Sequence, residues 1–170
     1  MPDRDASLVV RAGTTSDADA VGALLLELQE HHFRLQPRNP RYQVPAERWL
    51  EVARDALRNS DGEVLIAEDE HGVVGCAVLR YEGKPWGLAC QIETLVVTAG
   101  GRGRGVGAGL VTAGERRAAR RGAGGMRVEV VVENEGGRAF YERLGYDALA
   151  LRYGKPIEGG GGARSTEVAG

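Results

Sequence analysis

Apolar and polar positions along the N-terminal part of the chain predict one strand followed by two helices. The segment 7–12, SLVVRA, is a short apolar run with β-branched residues, which is typical of a strand. The segment 14–32 begins with the capping residues TTSD, and its apolar residues recur at helical spacing at Val21, Leu24, Leu25 and Leu28. Prolines interrupt the pattern in 34–45, and helical spacing resumes in 46–59, AERWLEVARDALRN.

The rest of the chain alternates between strand and helix patterns. The segment 63–98 contains three apolar runs separated by turns near DEHG and EGKPWG, which predicts an antiparallel meander. It is followed by a helix over 108–122, a strand over 126–133, a short helix over 134–145 and a last strand over 146–153. This order predicts an α/β protein of the α+β type, with a mixed, mostly antiparallel central sheet of about six to seven strands flanked by about four helices.

The composition is that of a single folded domain. The chain has 170 residues, of which 42% are hydrophobic and 27% are charged, and this suits one globular core. We expect the domain to span 7–157, with a flexible N-terminus over 1–6. The Gly-rich tail 158–170 cannot bury enough apolar area to offset its ordering entropy, so we expect it to be disordered.

Charge and hydropathy exclude several classes of partner. The net charge of -2 gives no global attraction to nucleic acid or to an anionic membrane. No apolar run approaches the roughly 18 residues needed to span a bilayer, and the start MPDRDASLVV lacks the layout of a secretory signal. We therefore expect a cytoplasmic protein. Cys76 and Cys90 match no zinc or redox spacing, and no chemistry is assigned to them.

The glycine-rich segment 100–109, GGRGRGVGAG, needs a separate explanation. A disordered RNA-binding tract would lie in polar low-complexity sequence, whereas this run lies between a strand pattern and a helix pattern. A P-loop would need Lys and then Ser or Thr after its last glycine. Gly103, Gly105 and Ala108 match the dinucleotide fingerprint, with Glu133 near the place of a ribose-binding acid, but that fold needs a series of parallel βαβ units.

Two motifs together account for more of the chain. Arg102, Gly105 and Gly107 form R-x-x-G-x-G at the start of a helix, and 134–146, NEGGRAFYERLGY, has the layout N-x-x-x-x-A-F-Y-x-x-x-G-Y. With the order of elements, these motifs resemble the GCN5-related N-acetyltransferase (GNAT) superfamily over residues 8–153. The resemblance implies the acyl-CoA N-acyltransferase fold with a splay between the fourth and fifth strands. It also implies acetyl-CoA as co-substrate and no metal.

The chemistry of acetyl-CoA explains why glycines and a helix start belong together. The cofactor carries a pyrophosphate, and free backbone N–H groups at a helix N-terminus, helped by the helix dipole, form an anion site. Glycines have no Cβ to collide with phosphate oxygens. The resemblance assigns this site to Arg102, Gly103, Arg104, Gly105, Val106 and Gly107. The two arginines would add cationic donors, or they are solvated loop charges.

The resemblance also assigns the rest of the cofactor site. In that family the pantetheine arm lies between the two splayed strands and pairs with backbone groups like an added strand. By position these groups belong to Leu95, Val96 and Val97, with Asn134 near the opening. The three apolar residues also suit the core, and both interpretations can hold, since a buried strand can offer its backbone groups to a ligand.

Transfer to an amine needs a base for the ammonium and an acid for the departing thiolate. Glu93 interrupts an apolar strand, and partial burial would raise its pKa toward the working range, which makes it the candidate base. Glu93 could equally be an exposed or salt-bridged carboxylate, and some members of the resembled family use water relays in place of a carboxylate base. Tyr141, the Tyr of AFY, matches the family's general acid, or is an aromatic packed on the short helix.

Glu27 and His31 stand at i, i+4 but have no third ligand, so no metal site is expected.

The expected function is transfer of an acetyl group from acetyl-CoA to a primary amine, by direct attack in a ternary complex. The acceptor would be a small-molecule or peptide amine, and the resemblance implies that it is bound by the connection between the first two helices and by the last strands. The alternative is a non-catalytic acyl-CoA-binding sensor or interaction module of the same fold. A homodimer is compatible with either function.

Overall fold

The computed structural model describes residues 8–155, so the N-terminus expected to be flexible, 1–6, and the Gly-rich tail, 158–170, lie outside the described residues. The elements are, in chain order, β1 Val9–Ala12, α1 Ala18–Leu35, α2 Arg48–Arg58, β2 Gly62–Asp69, β3 Gly72–Lys84, β4 Gly87–Val97, α3 Val106–Arg120, β5 Ala123–Val128 and α4 Glu135–Arg143. Within residues 8–155, none of the helices combines the length and the apolar character that crossing a bilayer requires.

The sheet has the order β1-β2-β3-β4-β5, with antiparallel neighbours except for the parallel pair β4 and β5. It therefore contains five strands in the described chain, and the expectation of six to seven was wrong. The strand predicted over 126–133 ends at Val128, and 146–153 forms no strand. Alternating apolar residues are not sufficient, because a strand exists only through a partner, and the Ala and Asp of 146–153 have low β-propensity.

The core lies on both faces of this sheet, so the protein has three layers. In β2 successive residues point to opposite faces: Val64 and Ile66 pack with α1 and α2, whereas Leu65 and Ala67 pack with α3. All four are almost fully buried. A central strand buried on both faces reads as an unbroken apolar run, which is why β2 is recognisable in the sequence.

The sheet opens between β4 and β5. Their parallel pairing runs from Leu88 with Ala123 to Ile92 with Val128 and then stops, although β4 continues to Val97. At the same place β4 carries a bulge against β3, because Ile92 faces Leu79 and Thr94 faces Val78, which leaves Glu93 as the extra residue. The opening thus lies between the fourth and fifth strands, where the resemblance implies it.

Candidate active site

The glycine-rich segment forms a structured connection from β4 to α3. The Thr98 hydroxyl accepts a hydrogen bond from the Gly101 N–H at 3.2 Å, and Gly101 is buried. Gly103 and Gly105 have left-handed backbone, with φ of 74° and 79°. Residues with a Cβ adopt this conformation at a cost, so these two positions require glycine for the path of the chain itself.

The start of α3 presents unpaired backbone donors. Gly105 caps the helix, and the first bond of the helix runs from the Gly109 N–H to the Gly105 carbonyl at 2.9 Å. The N–H groups of Val106, Gly107 and Ala108 precede that bond and have no partner inside the helix. Together with the positive end of the helix dipole, these three donors can hold an anion such as a pyrophosphate.

The two arginines of the loop are tied to carboxylates. Arg102 donates from Nη2 to Glu27 Oε1 at 3.1 Å and from Nε to the Val97 carbonyl at 3.2 Å. Arg104 donates from Nη1 to Asp69 Oδ2 at 2.7 Å. A backbone N–H of the β2–β3 turn and Arg104 together lower the pKa of Asp69. In this structure both guanidinium groups are thus engaged by oxygen atoms of the chain itself.

Two further loop positions have packing roles. The Val106 side chain is only 1% exposed and belongs to the core, so its backbone alone is available to a ligand. A Cβ at Gly107 would lie 3.2 Å from the Phe140 ring of α4, so this glycine lets α3 and α4 approach closely. The last glycine of the R-x-x-G-x-G pattern, Gly107, therefore allows α3 to pack against α4, in addition to the ligand access that the sequence predicts.

The part of β4 beyond the opening has one paired edge. Leu95, Val96 and Val97 face Ala77, Cys76 and Gly75 of β3, while β5 no longer pairs with the other edge. The Val96 side chain packs toward α1, and those of Leu95 and Val97 pack on the α3 side. The core interpretation is therefore confirmed, while the pairing of this open edge with a ligand stays a prediction.

An open cleft of about 2560 Å³ lies beside this opening. Glu93 and Tyr141, the candidate base and acid, both line it. Its walls come from the end of α1, the connection 36–42, β5 and the chain after α4. The cleft lining does not include 95–97, the loop 102–107 or Asn134. The structure thus brings the two catalytic candidates to one cavity and leaves the cofactor candidates outside its lining.

Glu93 differs in its surroundings from the expectation. Its side chain is 33% exposed and ion-paired with Arg80 of β3, whose Nε lies 2.6 Å from Oε1 and whose Nη2 lies 3.2 Å from Oε2. The alternative that the sequence left open, an exposed or salt-bridged carboxylate, therefore describes Glu93 better than the expected partial burial. The bulge directs both Glu93 and Thr94 toward the cleft.

Tyr141 lies on α4 and is 8% exposed. Its ring packs edge-on against Phe140 and Tyr146, with centroids 5.0 Å and 5.4 Å away. Tyr146 is itself fixed, because its hydroxyl donates to Glu115 Oε1 at 3.1 Å. Burial raises the pKa of Tyr141, so its hydroxyl stays protonated through neutral pH. The packed-aromatic interpretation is correct, and the hydroxyl is still at the cleft.

Asn134 has a structural role at the start of α4. Its side-chain oxygen accepts a hydrogen bond from the Gly137 N–H at 2.9 Å, which caps the helix. The neighbouring Glu133 accepts a hydrogen bond from Gln36 at 2.8 Å. A bond between residues so distant in sequence joins the connection after α1 to the chain after β5 across the cleft.

Sequence reasoning missed Arg80 and the contact between Gln36 and Glu133. Arg80 could have been found, because a hairpin between β3 and β4 brings Arg80 and Glu93 onto neighbouring strands. To find the pair from the sequence, the register of β3 against β4 would have to be known, and the bulge shifts that register by one residue. No local signal marks Gln36 and Glu133, since only the folded chain brings them together.

Comparison with known proteins agrees with this arrangement. The chain matches the model of the Acetyltransferase (GNAT) family over residues 24–146. No curated protein matches the sequence. Because the family model covers most of the chain, the chain belongs to the GNAT acetyltransferase family.

Several solved structures share the fold. One is a mutant of the BH1408 protein from Bacillus halodurans, at 20% identity over 88% of this chain and 99% of that chain, with a TM-score of 0.74. Another is ribosomal-protein-alanine N-acetyltransferase from Brucella melitensis biovar Abortus 2308, at 20% identity over 89% and 99%, TM-score 0.71. A third is aminoglycoside N-acetyltransferase AAC(6')-Iy in complex with CoA, at 17% identity over 93% and 99%, TM-score 0.71. The α+β architecture with four helices is thereby confirmed.

The left-handed backbone at the start of α3 can be tested by measuring the free energy of unfolding of the protein. Replacement of Gly105→Ala should lower the free energy of unfolding by about 1–2 kcal/mol, because alanine is strained at φ of 79°. Gly100→Ala is the matched control, since Gly100 has no left-handed φ and a Cβ there would meet open space. Chemical denaturation measures both. Equal stability of the two variants would contradict a left-handed cap at Gly105.

Proposed function

We propose that this protein transfers an acetyl group from acetyl-CoA to a primary amine, by direct attack in a ternary complex. The observation that carries the proposal is the continuity of three features. The unpaired N–H groups at the start of α3 are connected by the loop 98–105 to the open edge of β4, and that edge is preceded in β4 by Glu93 and Thr94, which line the cleft together with Tyr141. A pyrophosphate, an extended arm and a thioester would meet these features in that order.

In this proposal the cofactor is held mainly by backbone groups. The pyrophosphate would accept hydrogen bonds from the N–H groups of Val106, Gly107 and Ala108, with Arg102 and Arg104 at its sides and Gly103 and Gly105 shaping the loop. The pantetheine arm would pair with the open edge of Leu95, Val96 and Val97. Asn134 would contribute by fixing the start of α4, which lies at the mouth of the opening.

The chemical step needs a neutral amine and a leaving thiolate. The neutral amine nitrogen attacks the thioester carbonyl, the carbon–sulfur bond breaks, and the proton that the new amide nitrogen gives up passes to the departing thiolate. A thiol has an ordinary pKa near 8.5, and the pKa of Tyr141 is raised above its usual value of about 10, so complete transfer of the tyrosine proton is uphill. Tyr141 would therefore act chiefly by donating a hydrogen bond to the sulfur as charge develops there.

Glu93 would receive the proton of the ammonium, either directly or through water. The pair with Arg80 occupies one lone pair on each carboxylate oxygen and fixes the orientation of the group. A carboxylate oxygen has a second lone pair, so an amine or a water in the cleft can still be bound. The bulge places this carboxylate at the point where the strands part, next to the expected position of the thioester.

The acceptor is proposed only as a class, a small-molecule or peptide amine. Two of the similar structures are described as acting on a ribosomal protein and on aminoglycosides, and both kinds of acceptor carry amines. The cleft offers His32 and Tyr42, whose rings lie 4.9 Å apart at the end of α1 and in the connection that follows it. Their position at the cleft wall favours this connection as the acceptor side of the site.

A thiol-release assay with acetyl-CoA tests the function across a panel of small amines, peptides and aminoglycosides. We expect release of coenzyme A that depends on an added amine and a product acetylated on nitrogen by mass spectrometry. Binding of coenzyme A measured by calorimetry, with no turnover on any acceptor, would favour the non-catalytic acyl-CoA-binding module. Absence of any coenzyme A binding would contradict both functions.

The role of Tyr141 predicts a specific loss. Replacement of Tyr141→Phe keeps the ring packing and removes the hydroxyl, so kcat should fall about 100-fold while the KM for acetyl-CoA stays the same. Tyr81→Phe is a matched control, because Tyr81 also carries a buried hydroxyl and does not line the cleft. An unchanged kcat in Tyr141→Phe would remove Tyr141 from the chemistry.

The role of Glu93 predicts a change in the pH profile. In Glu93→Gln the acidic limb of kcat/KM should flatten and the rate at neutral pH should fall about 100-fold, because the amide cannot accept the proton. Glu63→Gln is the control, since Glu63 is also paired with an arginine, Arg117, but lies outside the cleft lining. A profile of Glu93→Gln that matches the unmodified protein would assign the base to a water relay elsewhere in the cleft.

A further inference from the structure

Two carboxylates lie at the place where β4 and β5 part. Glu93 follows Ile92 and Glu129 follows Val128, and Ile92 with Val128 is the last pair that joins the two strands. Neighbouring strands lie about 4.8 Å apart, so the backbones of Glu93 and Glu129 begin close together. Both residues line the cleft. A small molecule at the opening would therefore meet a carboxylate on each of its two sides.

Glu129 is paired with two arginines from different walls of the cleft. Arg41, in the connection after α1, has its Nη1 3.7 Å from Glu129 Oε2. Arg152, in the chain after α4, forms an ion pair with Glu129 Oε1. Both arginines line the cleft, and their side chains are 67% and 72% exposed, so a solute in the cleft can reach them.

The position of Arg41 does not depend on its ion pair. Arg41 lies in the short 3-10 helix Pro40–Tyr42, and its backbone N–H donates to the side-chain oxygen of Asn39 at 3.1 Å. Gln36 ties the same connection to Glu133 at 2.8 Å. Because none of these contacts uses the guanidinium, Arg41 can take a further partner while the connection stays in place.

The charges at the opening are not balanced. Within residues 8–155, Arg41 and Arg152 form ion pairs with no carboxylate other than Glu129, while Glu93 is paired with Arg80. Three guanidinium groups thus surround two carboxylates, and the group carries one positive charge in excess.

The other ionisable groups of the cleft leave this excess in place. Apart from the residues just named, the lining contains as many carboxylates as arginines and lysines. His32 lies on the same wall as Arg41, and burial lowers its pKa, with His31 and Arg41 adding to the effect, so it is uncharged at neutral pH. The positive excess is therefore local to the opening.

This arrangement suits a ligand that carries a carboxylate. The pair between Arg41 and Glu129 is longer than a hydrogen bond, so the N–H donors of Arg41 remain available. A guanidinium binds a carboxylate through two parallel N–H···O bonds, and a second carboxylate would give the two arginines two anions. The positive excess would also favour the neutral form of a nearby amine, which is the form that attacks a thioester.

We propose that the acceptor is an amino acid or another small amine that also carries a carboxylate, and that Arg41 and Arg152 bind this carboxylate while the amine lies toward Glu93. The inference rests on the proposed function and narrows its acceptor from any amine to an amino carboxylate. The closeness of Glu93 and Glu129 at the opening suits a molecule whose amine and carboxylate are separated by few bonds. An acceptor without a carboxylate would leave the excess charge in place.

Pairs of an amino acid and its carboxamide test the acceptor class. The thiol-release assay is run with acetyl-CoA and with methionine, phenylalanine, glutamine and lysine, each beside its amide. We expect kcat/KM for the accepted amino acid to be at least about tenfold higher than for its amide, because only the acid gains charged hydrogen bonds to the arginines. The amide has the less basic amine and offers more of the neutral form, so a preference for the acid cannot come from the ionisation of the amine.

Arginine variants test the two binding groups. Arg41→Gln and Arg152→Gln should each raise the KM for the amino acid about tenfold, so that the ratio between acid and amide falls toward one in the double variant. Arg48→Gln is the matched control and should keep the ratio, because Arg48 is also exposed and paired with a glutamate, Glu51 at 3.3 Å, but lies outside the cleft lining. Thermal unfolding followed by circular dichroism shows that each variant is folded.

The outcomes separate this inference from the function on which it rests. An amide used as well as its acid would overturn the inference, as would a preference for the acid that survives in the double variant. Turnover only of amines that lack a carboxylate would also overturn it, and would leave the proposed function standing. Absence of turnover with every amine, with or without a carboxylate, would contradict both.

Discussion

The separation of β4 from β5 is the constraint on which the rest of the site depends. Because pairing stops at Ile92 and Val128, the remainder of β4 keeps an edge that no strand of the described chain occupies. An open edge inside a protein costs free energy unless a ligand or water satisfies its backbone groups. The bulge at Glu93 occurs at the same residue and turns a carboxylate toward the gap. One irregularity thus creates both the place for an extended ligand and a charged group beside it.

The sequence predicts those parts of the fold that carry their own periodicity. Strands β2 to β4 and helices α1 to α4 were recognisable because each has an apolar pattern of period 2 or 3.6 over its own length. The segment 146–153 has an equally regular pattern and forms no strand, because pairing depends on a neighbour that a local pattern cannot specify. For the same reason the bulge could not be predicted: it is a relation between β3 and β4, and it shifts the register between Val78 and Leu79.

The residues of the candidate site also divide into those that a local pattern predicts and those whose surroundings depend on another element. Gly103 and Gly105 were predicted as cofactor-binding from their residue type, which stays a prediction, and the structure gives a separate reason for glycine, because the backbone is left-handed at both positions. The partner of Glu93, by contrast, lies on another strand, and the expectation of partial burial overlooked the guanidinium of Arg80. Asn134 and Gly107 were chosen for a ligand and prove to have packing or capping roles in the chain alone. A motif residue can therefore be required by the fold before any ligand is considered.

The free energies of the interactions indicate which groups of the proposed anion site would contribute most to binding. Arg102 already holds Glu27 through an exposed ion pair, and such pairs contribute about 0–1 kcal/mol. Transfer of this guanidinium from a carboxylate to a phosphate would replace one exposed contact by another of similar strength, so the net gain is small. The N–H groups at the start of α3 have no partner inside the helix to give up, and each contributes about 0.3–1 kcal/mol in the field of the helix dipole. Several of them acting together exceed the exchange at the arginine. If the start of α3 binds a pyrophosphate as proposed, the path of the backbone through Gly103 and Gly105 would therefore determine the binding more than the charge of the loop would.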